Sequence, residues 1–180
     1  MPTIDSSDYL RNLKSKERLH LHLVCLGNIC RSPMANAVVA NKTSDIKKPK
    51  VIVDSSGTGP WHVGEGATDL SQQVWQMAGY KYSHTAKQFN KSFFAKHDLI
   101  LAMDLSNRDS ILKMAESDLD LEKVFMFRSF DPELSGIDPD GADAHLLSVP
   151  DPYGQQLDEY QKVLAMVERA ANGINLWVRS

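Results

Sequence analysis

Nine consecutive residues hold the types that could do chemistry together: Cys25-Leu26-Gly27-Asn28-Ile29-Cys30-Arg31-Ser32-Pro33. The stretch before them, Leu19 to Val24, alternates and then turns apolar, which predicts a strand, and Pro33 opens a helical stretch through Ala35, Ala37, Val38 and Val39. A loop in that setting becomes an anion cradle when its N–H groups turn inward, because unsatisfied donors and the helix dipole both favour negative charge there. Gly27 permits a tight path, and Asn28 is a residue type that tolerates the left-handed conformation. The same donors would favour a thiolate at Cys25 and make it a nucleophile. Arg31 returns on the far side of the loop, where its planar fork can grip two phosphoryl oxygens and stabilise the equatorial oxygens of a transition state. Ser32 could hydrogen-bond the Cys25 sulfur as it departs. A buried structural cysteine beside an unrelated surface arginine is the bland alternative. The Gly-Asn inside the loop, the Ser-Pro after it and the strand-loop-helix setting weigh against that alternative.

The elements that must position this loop follow the same alternation. Val51-Ile52-Val53 reads as a second strand ending in a turn-rich run from Asp54 to Pro60, after which Asp69 to Ala78 is helical and Gly79 caps it. Asp98 to Met103 is a buried strand followed by a helix from Ser106 to Glu116, Val124 to Phe127 is a fourth strand, and Gln156 to Val178 is a long closing helix. The predicted fold is a single-domain α/β protein, a four-stranded parallel sheet with helices on both faces and the phosphate loop between the first strand and the first helix. Ligands of such sheets sit beyond the strands' C-terminal ends, which here carry Cys25, Ser55, Asp104 and Arg128. Residues 1 to 18 read as an extension and 19 to 180 as the domain. The long stretch from Arg128 to Gly154 is a loop of the kind that is functional or disordered.

Composition bounds the partners. The chain has 180 residues, 42% of them hydrophobic, with a formal charge of -3, which suits one compact domain and gives no basic tract for nucleic acid. No stretch approaches a membrane span or a signal peptide, so a cytoplasmic location is expected. The two cysteines, Cys25 and Cys30, cannot form a disulfide framework and lack C-x-x-C spacing. The histidines show no metal-ligand spacing, the acids from Asp138 to Asp143 lack the terminal glutamate of a calcium loop, and no metal or cofactor is expected.

Val24 through Pro33 resembles the signature of the low-molecular-weight protein tyrosine phosphatases. The likeness continues through Asp54-Ser55, Trp61, Ser83-His84 with Ala86 and Gln88, Ile100 to Asn107, and Asp151-Pro152-Tyr153-Gly154. It implies a phosphotyrosine phosphatase with Cys25 as nucleophile, Arg31 as phosphate clamp and Asp151 as general acid, then base. Read alone, Asp151-Pro152 is a turn signal. The resemblance further implies that Leu26, Gly27, Asn28, Ile29, Cys30 and Ser32 bind the phosphate. Trp61 and Tyr153 become the aromatic walls of the cleft, although a core position is a real alternative for Trp61. Asn28, Ser55 and His84 match a buried polar set that shapes the loop, though each could equally be a turn or cap residue. Asp104 could brace the site or cap a helix. Isoleucine at position 29, where the related protein-arginine phosphatases tend to carry threonine, points to phosphotyrosine. The implied partners are tyrosine-phosphorylated proteins and oxyanions in the loop. Three departures stand out: the extension, an enlarged loop near 133 to 148, and Lys87 where the family more often has arginine.

Rival functions leave different marks. Arsenate reductases on this fold relay electrons through further cysteines, which this chain lacks; a dead binding module would have lost the cysteine, arginine or acid; and no nucleotide-binding glycine motif occurs. Cys30 is either a small packing residue or a redox partner that forms a disulfide with Cys25 and protects it.

Overall fold

Parallel strands alternate with helices along the chain, and across the sheet the second strand comes first, then the first, third and fourth. The computed structural model describes residues 7–180. In chain order the elements are α1 (Asp8–Leu13), β1 (Arg18–Cys25), α2 (Arg31–Lys42), β2 (Lys50–Gly57), α3 (Asp69–Met77), α4 (Ser92–Lys96), β3 (Leu99–Ala102), α5 (Leu105–Met114), α6 (Asp118–Glu122), β4 (Val124–Met126) and α7 (Leu157–Arg179). The central strand β1 pairs with β2 on one side and β3 on the other. Its period-2 pattern serves two cores: Leu19, Leu21 and Leu23 face α2 and α7, whereas Val24 joins Ile100, Ala102, Phe94 and Ile111 on the opposite face. Because both faces are covered, residues on either side of β1 are buried, including the polar His22.

The predicted sheet and its order of elements are what the chain forms, with instructive shifts at the boundaries. The run Asp54-Ser55-Ser56-Gly57, expected as a turn, is the second half of β2, because each residue keeps register with β1 from His22 to Cys25. Its polar side chains are tolerated because each meets a polar partner: Asp54 lies 2.5 Å from Lys87 Nζ, Ser55 Oγ accepts from Asn28, and Ser56 Oγ lies 2.6 Å from His22 Nε2. The helix expected to open at Pro33 is α2, and it starts two residues earlier, at Arg31. Gly79, at φ +89, is the left-handed residue just past the cap of α3, as predicted. The short helices α4 and α6 were too brief for a periodic signal.

The first six residues lie outside the described ones, and the remainder of the predicted extension does not hang free. Ser7 caps α1 by accepting from Leu10 N, and Leu10 and Leu13 enter the main core. The stretch from Arg128 to Gly154 is strapped down rather than loose. Its turns include three short 3-10 helices, Phe127–Phe130, Pro132–Leu134 and Ala144–Leu147. Arg128 donates to the carbonyls of Leu146 and Ser148, and Val149 N–H donates to the Met103 carbonyl at 2.7 Å, which carries the segment along the end of β3. Asp140 pairs with Arg108, and Asp138 accepts from the Asp140 N–H in a turn.

One helical glycine is fixed by packing. A Cβ on Gly173 in α7 would stand 1.6 Å from the Phe130 carbonyl oxygen. In an unconstrained helix interior Gly→Ala gains about 1 kcal/mol; here overpacking of about 1–3 kcal/mol opposes it and the contact is with backbone, which cannot swing away. Gly173→Ala should therefore lower the stability read from urea unfolding, and an unchanged or raised midpoint would show that the Phe130 turn yields.

Candidate active site

The loop from Cys25 to Arg31 is held almost entirely from outside. The Cys25 carbonyl accepts from Thr58 N–H and the Leu26 carbonyl from Gly59 N–H, both at 2.9 Å. Further round, the Asn28 carbonyl accepts from His84 Nε2 at 2.7 Å, that of Ile29 from Thr68 N–H at 2.9 Å, and that of Cys30 from Ser71 Oγ at 2.8 Å. In a trans peptide plane the C=O of one residue and the N–H of the next point in opposite directions. Tethering these carbonyls outward therefore turns the N–H groups of Leu26, Gly27, Ile29, Cys30 and Arg31 toward the hollow of the loop. Among the described residues, none of the N–H groups of Leu26, Gly27, Ile29 and Cys30 finds a protein acceptor. Together with the N-terminus of α2 they make a concentrated positive field.

Cys25 Sγ occupies the base of that field. Asn28 N–H donates to it at 3.3 Å, and Ser32 Oγ lies 3.0 Å away. Asn28 Nδ2 donates to Ser32 Oγ at 2.7 Å, which leaves the serine hydroxyl proton free to point at the sulfur. Arg31 is 2% exposed, and its Nη1 donates to Asp104 Oδ2 at 2.6 Å and to the Val149 carbonyl at 3.0 Å. Burial alone would lower its pKa, but the Cys25 sulfur and the Asp104 carboxylate raise it, so the guanidinium is firmly charged. Asp104 does both things expected of it, since its other oxygen accepts from Asn107 N–H at the start of α5. Asp151 Oδ2 stands 3.6 Å from Arg31 Nη2 at the mouth of the cleft. Its Oδ1 accepts from Tyr153 N–H, which is the turn read from Asp151-Pro152.

Cys25, Arg31 and Asp151 line one cleft of about 150 Å³ together with Leu26, Gly27, Ile29, Cys30, Trp61, His62 and Tyr153, whereas Asn28, Ser32 and Asp104 support it from behind the lining. Trp61 is 66% exposed and Tyr153 59%, which removes the core alternative for the tryptophan. A Cβ at Gly59 would strike the indole, so the glycine gives Trp61 its seat. His62 was not singled out from the sequence; it is paired with Glu65 and its ring lies 6.3 Å from that of Tyr153. A larger cavity, about 760 Å³, lies at the far edge of the sheet by β4 and α7 and contains none of the predicted residues.

The matched polar set is a connected network. Asn28 adopts φ 57, and its side chain donates to Ser32 and Ser55 while accepting from Lys87 N–H. Asn36 donates to Ser55 and to Tyr82, whose hydroxyl meets His84 Nδ1 at 2.8 Å. Burial holds the His84 pKa below its ordinary value, so the neutral ring gives its Nε2 proton to Asn28 and accepts from Tyr82. The folded protein thus protonates His84 at a lower pH than the unfolded chain does, and this contribution is whole above about 6.5 and lost as the pH falls below it. Asn36 and Tyr82 were missed in the sequence because nothing local marks them. Gly57 was missed as well: a Cβ there would lie 2.6 Å from the Leu26 carbonyl oxygen, so only glycine lets the loop rest on β2. Gly27 is not among the residues with positive φ, and the left-handed turn of the loop falls on Asn28. Cys30 Sγ points away from water, 3.5 Å from Tyr160 Oη and 3.7 Å from Thr68 Oγ1, and burial pushes its thiol pKa up.

Residues 20–178 match the model of the low molecular weight phosphotyrosine protein phosphatases. The chain belongs to that family. A low molecular weight protein-tyrosine-phosphatase of Streptomyces coelicolor is 40% identical to this phosphatase over 157 residues, 87% of this chain and 91% of the relative. Among solved structures, a protein tyrosine phosphatase from Entamoeba histolytica matches with a TM-score of 0.75 and 30% identity, covering 88% of this chain and 95% of its own. An arginine phosphatase from Geobacillus stearothermophilus matches with a TM-score of 0.73 and 26% identity, covering 89% and 93%. Among the described residues of this phosphatase, no helix is long and apolar enough to cross a membrane.

The left-handed turn makes a test of the loop's construction. Asn28→Gly keeps the backbone free but removes the side-chain bonds; Asn28→Ala removes them and also meets the left-handed penalty of about 1–2 kcal/mol. Both variants should lose stability in urea, the alanine variant by about 1 kcal/mol more. Equal midpoints would mean that φ at this position is not a constraint.

Proposed function

We propose that the protein hydrolyses phosphotyrosine through a phosphocysteine intermediate on Cys25. The observation that carries this reading is the convergence of the Cys25 sulfur, the Arg31 guanidinium and the Asp151 carboxyl on one cleft, although Asp151 lies far along the chain. The Cys25 thiolate attacks phosphorus while Arg31 and the inward N–H groups of Leu26, Gly27, Ile29, Cys30 and Arg31 hold the equatorial oxygens, Asn28 N–H staying on the sulfur. Asp151, protonated for this step, gives its proton to the departing phenolate. Water then attacks the phosphocysteine; Asp151 takes its proton, and the S–P bond breaks to return the thiolate, which Ser32 stabilises. Asp104 and the Val149 carbonyl hold Arg31 in place for both steps.

Trp61 and Tyr153 are the walls against which the phenyl ring stacks, with His62 beside them. Ile29 gives the cleft an apolar floor, which suits an aryl ring better than a guanidinium. Substrates are accordingly tyrosine-phosphorylated proteins, and we place the protein in the cytoplasm, where both free thiols stay reduced. Phosphoarginine is the second reading, favoured by the arginine phosphatase among the structural neighbours.

Cys25→Ser should abolish turnover while vanadate or phosphate still raises the melting temperature, because Arg31 and the N–H cradle remain. Asp151→Asn should slow hydrolysis of aryl phosphates with poor leaving groups by about 10²–10⁴-fold and those with good ones far less. A uniform loss across the series would move the acid role to another carboxyl. Matched phosphotyrosine and phosphoarginine peptides decide the substrate, and a preference for the latter would overturn the reading of Ile29.

We also propose that Cys30 protects Cys25 from irreversible oxidation. Both cysteines line the cleft, and once its side chain turns from Tyr160 and Thr68 the Cys30 sulfur can attack a sulfenic acid on Cys25, releasing water and forming a disulfide that a dithiol reduces. After mild peroxide the protein should lose activity, show a Cys25–Cys30 disulfide by peptide mapping and recover with dithiothreitol. The Cys30→Ser variant should stay active but recover poorly; full recovery would reduce Cys30 to a packing residue.

A further inference from the structure

Behind the strand end that carries Cys25, three side chains from separate segments meet. His22 in β1 and Asp54 in β2 are partners in register, so their side chains share a face of the sheet, and His97 follows α4 onto the same face. His22 Nδ1 and His97 Nε2 are 3.2 Å apart. Asp54 Oδ2 lies 3.8 Å from the first and 3.7 Å from the second. Among the described residues this is the one group of three such ligand types whose atoms converge. A tetrahedral ion with bonds of about 2.0–2.2 Å spaces its ligand atoms about 3.3–3.6 Å apart, close to the observed triangle.

The remote nitrogens are oriented as a metal site requires. His97 Nδ1 donates to the Phe93 carbonyl at 2.9 Å, which leaves its Nε2 lone pair facing the triangle. His22 Nε2 lies 2.6 Å from Ser56 Oγ. Without an ion, Ser56 donates to Nε2 and the His22 Nδ1 proton bridges to His97. With one, the His22 proton moves to Nε2, Ser56 Oγ becomes its acceptor, and Nδ1 is free to ligate. His22 is fully buried, whereas the Asp54 side chain is 39% exposed and supplies the route of entry.

We propose that His22, His97 and Asp54 form a binding site for a divalent transition ion of the zinc type, with water at the fourth position. Two imidazoles and one carboxylate select such an ion over magnesium or calcium, which prefer all-oxygen shells. The ion would cross-link β1, β2 and the end of α4. Its natural competitor is Lys87, whose Nζ sits 2.5 Å from Asp54 Oδ2 and 5.8 Å from the centre of the Phe93 ring. An ammonium at this corner neutralises the carboxylate when no ion is bound and must swing out when one is.

Titration of the intact protein with Co2+, followed by visible absorption, tests the site. One equivalent should bind with the strong ligand-field bands of four-coordinate cobalt and without thiolate charge transfer, and Zn2+ should displace it. Cys25→Ser should bind equally well, because the catalytic thiol is the other soft ligand in reach of the solvent. Asp54→Asn, at the rim, and His97→Phe, which keeps an aromatic ring at a buried position, should weaken binding at least about hundredfold, Ser56→Ala about tenfold, and Lys87→Met should tighten it about tenfold by removing the rival charge. The His22→Leu variant touches the core, so Asp54→Asn and His97→Phe decide. Failure of the parent to bind one equivalent, binding that survives His97→Phe, or binding lost in Cys25→Ser would each overturn the proposal.

Discussion

The site depends on carbonyl groups pulled outward. Thr58, Gly59, Thr68, Ser71 and His84 each take one carbonyl of the loop from Cys25 to Cys30, and peptide planarity does the rest by turning the adjoining N–H groups inward. A ring of donors with no internal acceptor would be costly if it were sealed from water; opened onto a cleft, it is an anion site assembled before any anion arrives. Such preorganisation matters for phosphoryl transfer, where charge stabilisation and positioning supply most of what a protein can contribute.

Everything around the loop serves that arrangement. The parallel register of β1 with β2 brings Thr58 and Gly59 under the loop, and Gly57 lets it lie close. The start of α3 supplies Thr68 N–H and Ser71 Oγ, and the network through Asn28, Ser55, Asn36, Tyr82 and His84 fixes the one left-handed residue. On the opposite side, the segment strapped along β3 by Arg128 and Met103 delivers both the Val149 carbonyl that holds Arg31 and the Asp151 carboxyl above it.

What the sequence made legible was what is contiguous or chemically distinctive. Cys25, Arg31 and Ser32 sit in one short run between a strand and a helix, and their relation follows from local geometry. Asp151 was readable only through its likeness to the family, because a turn and an acid share the same two letters. Asn36 and Tyr82 look like any polar and aromatic residues on a helix and a loop; only their meeting with Ser55 and His84 gives them a part. The second half of β2 misled because Asp, Ser and Gly are turn formers, and the pairing with β1 that overrides this preference is not local. Histidine spacing suggested no metal site for the same reason: His22, Asp54 and His97 are gathered by the sheet, not by a motif.

The dispersed origin of the tethers has a thermodynamic consequence. The loop's carbonyls are held from β2's end, α3 and the segment around His84, so the loop has little structure to keep once those hosts separate. It cannot form an island of local order, nor melt while the hosts stay together. Loss of catalytic competence and loss of the sheet should therefore be one cooperative event, and slow hydrogen exchange at Asn28 and at the donors Thr58, Gly59 and Thr68 should report the free energy of global opening.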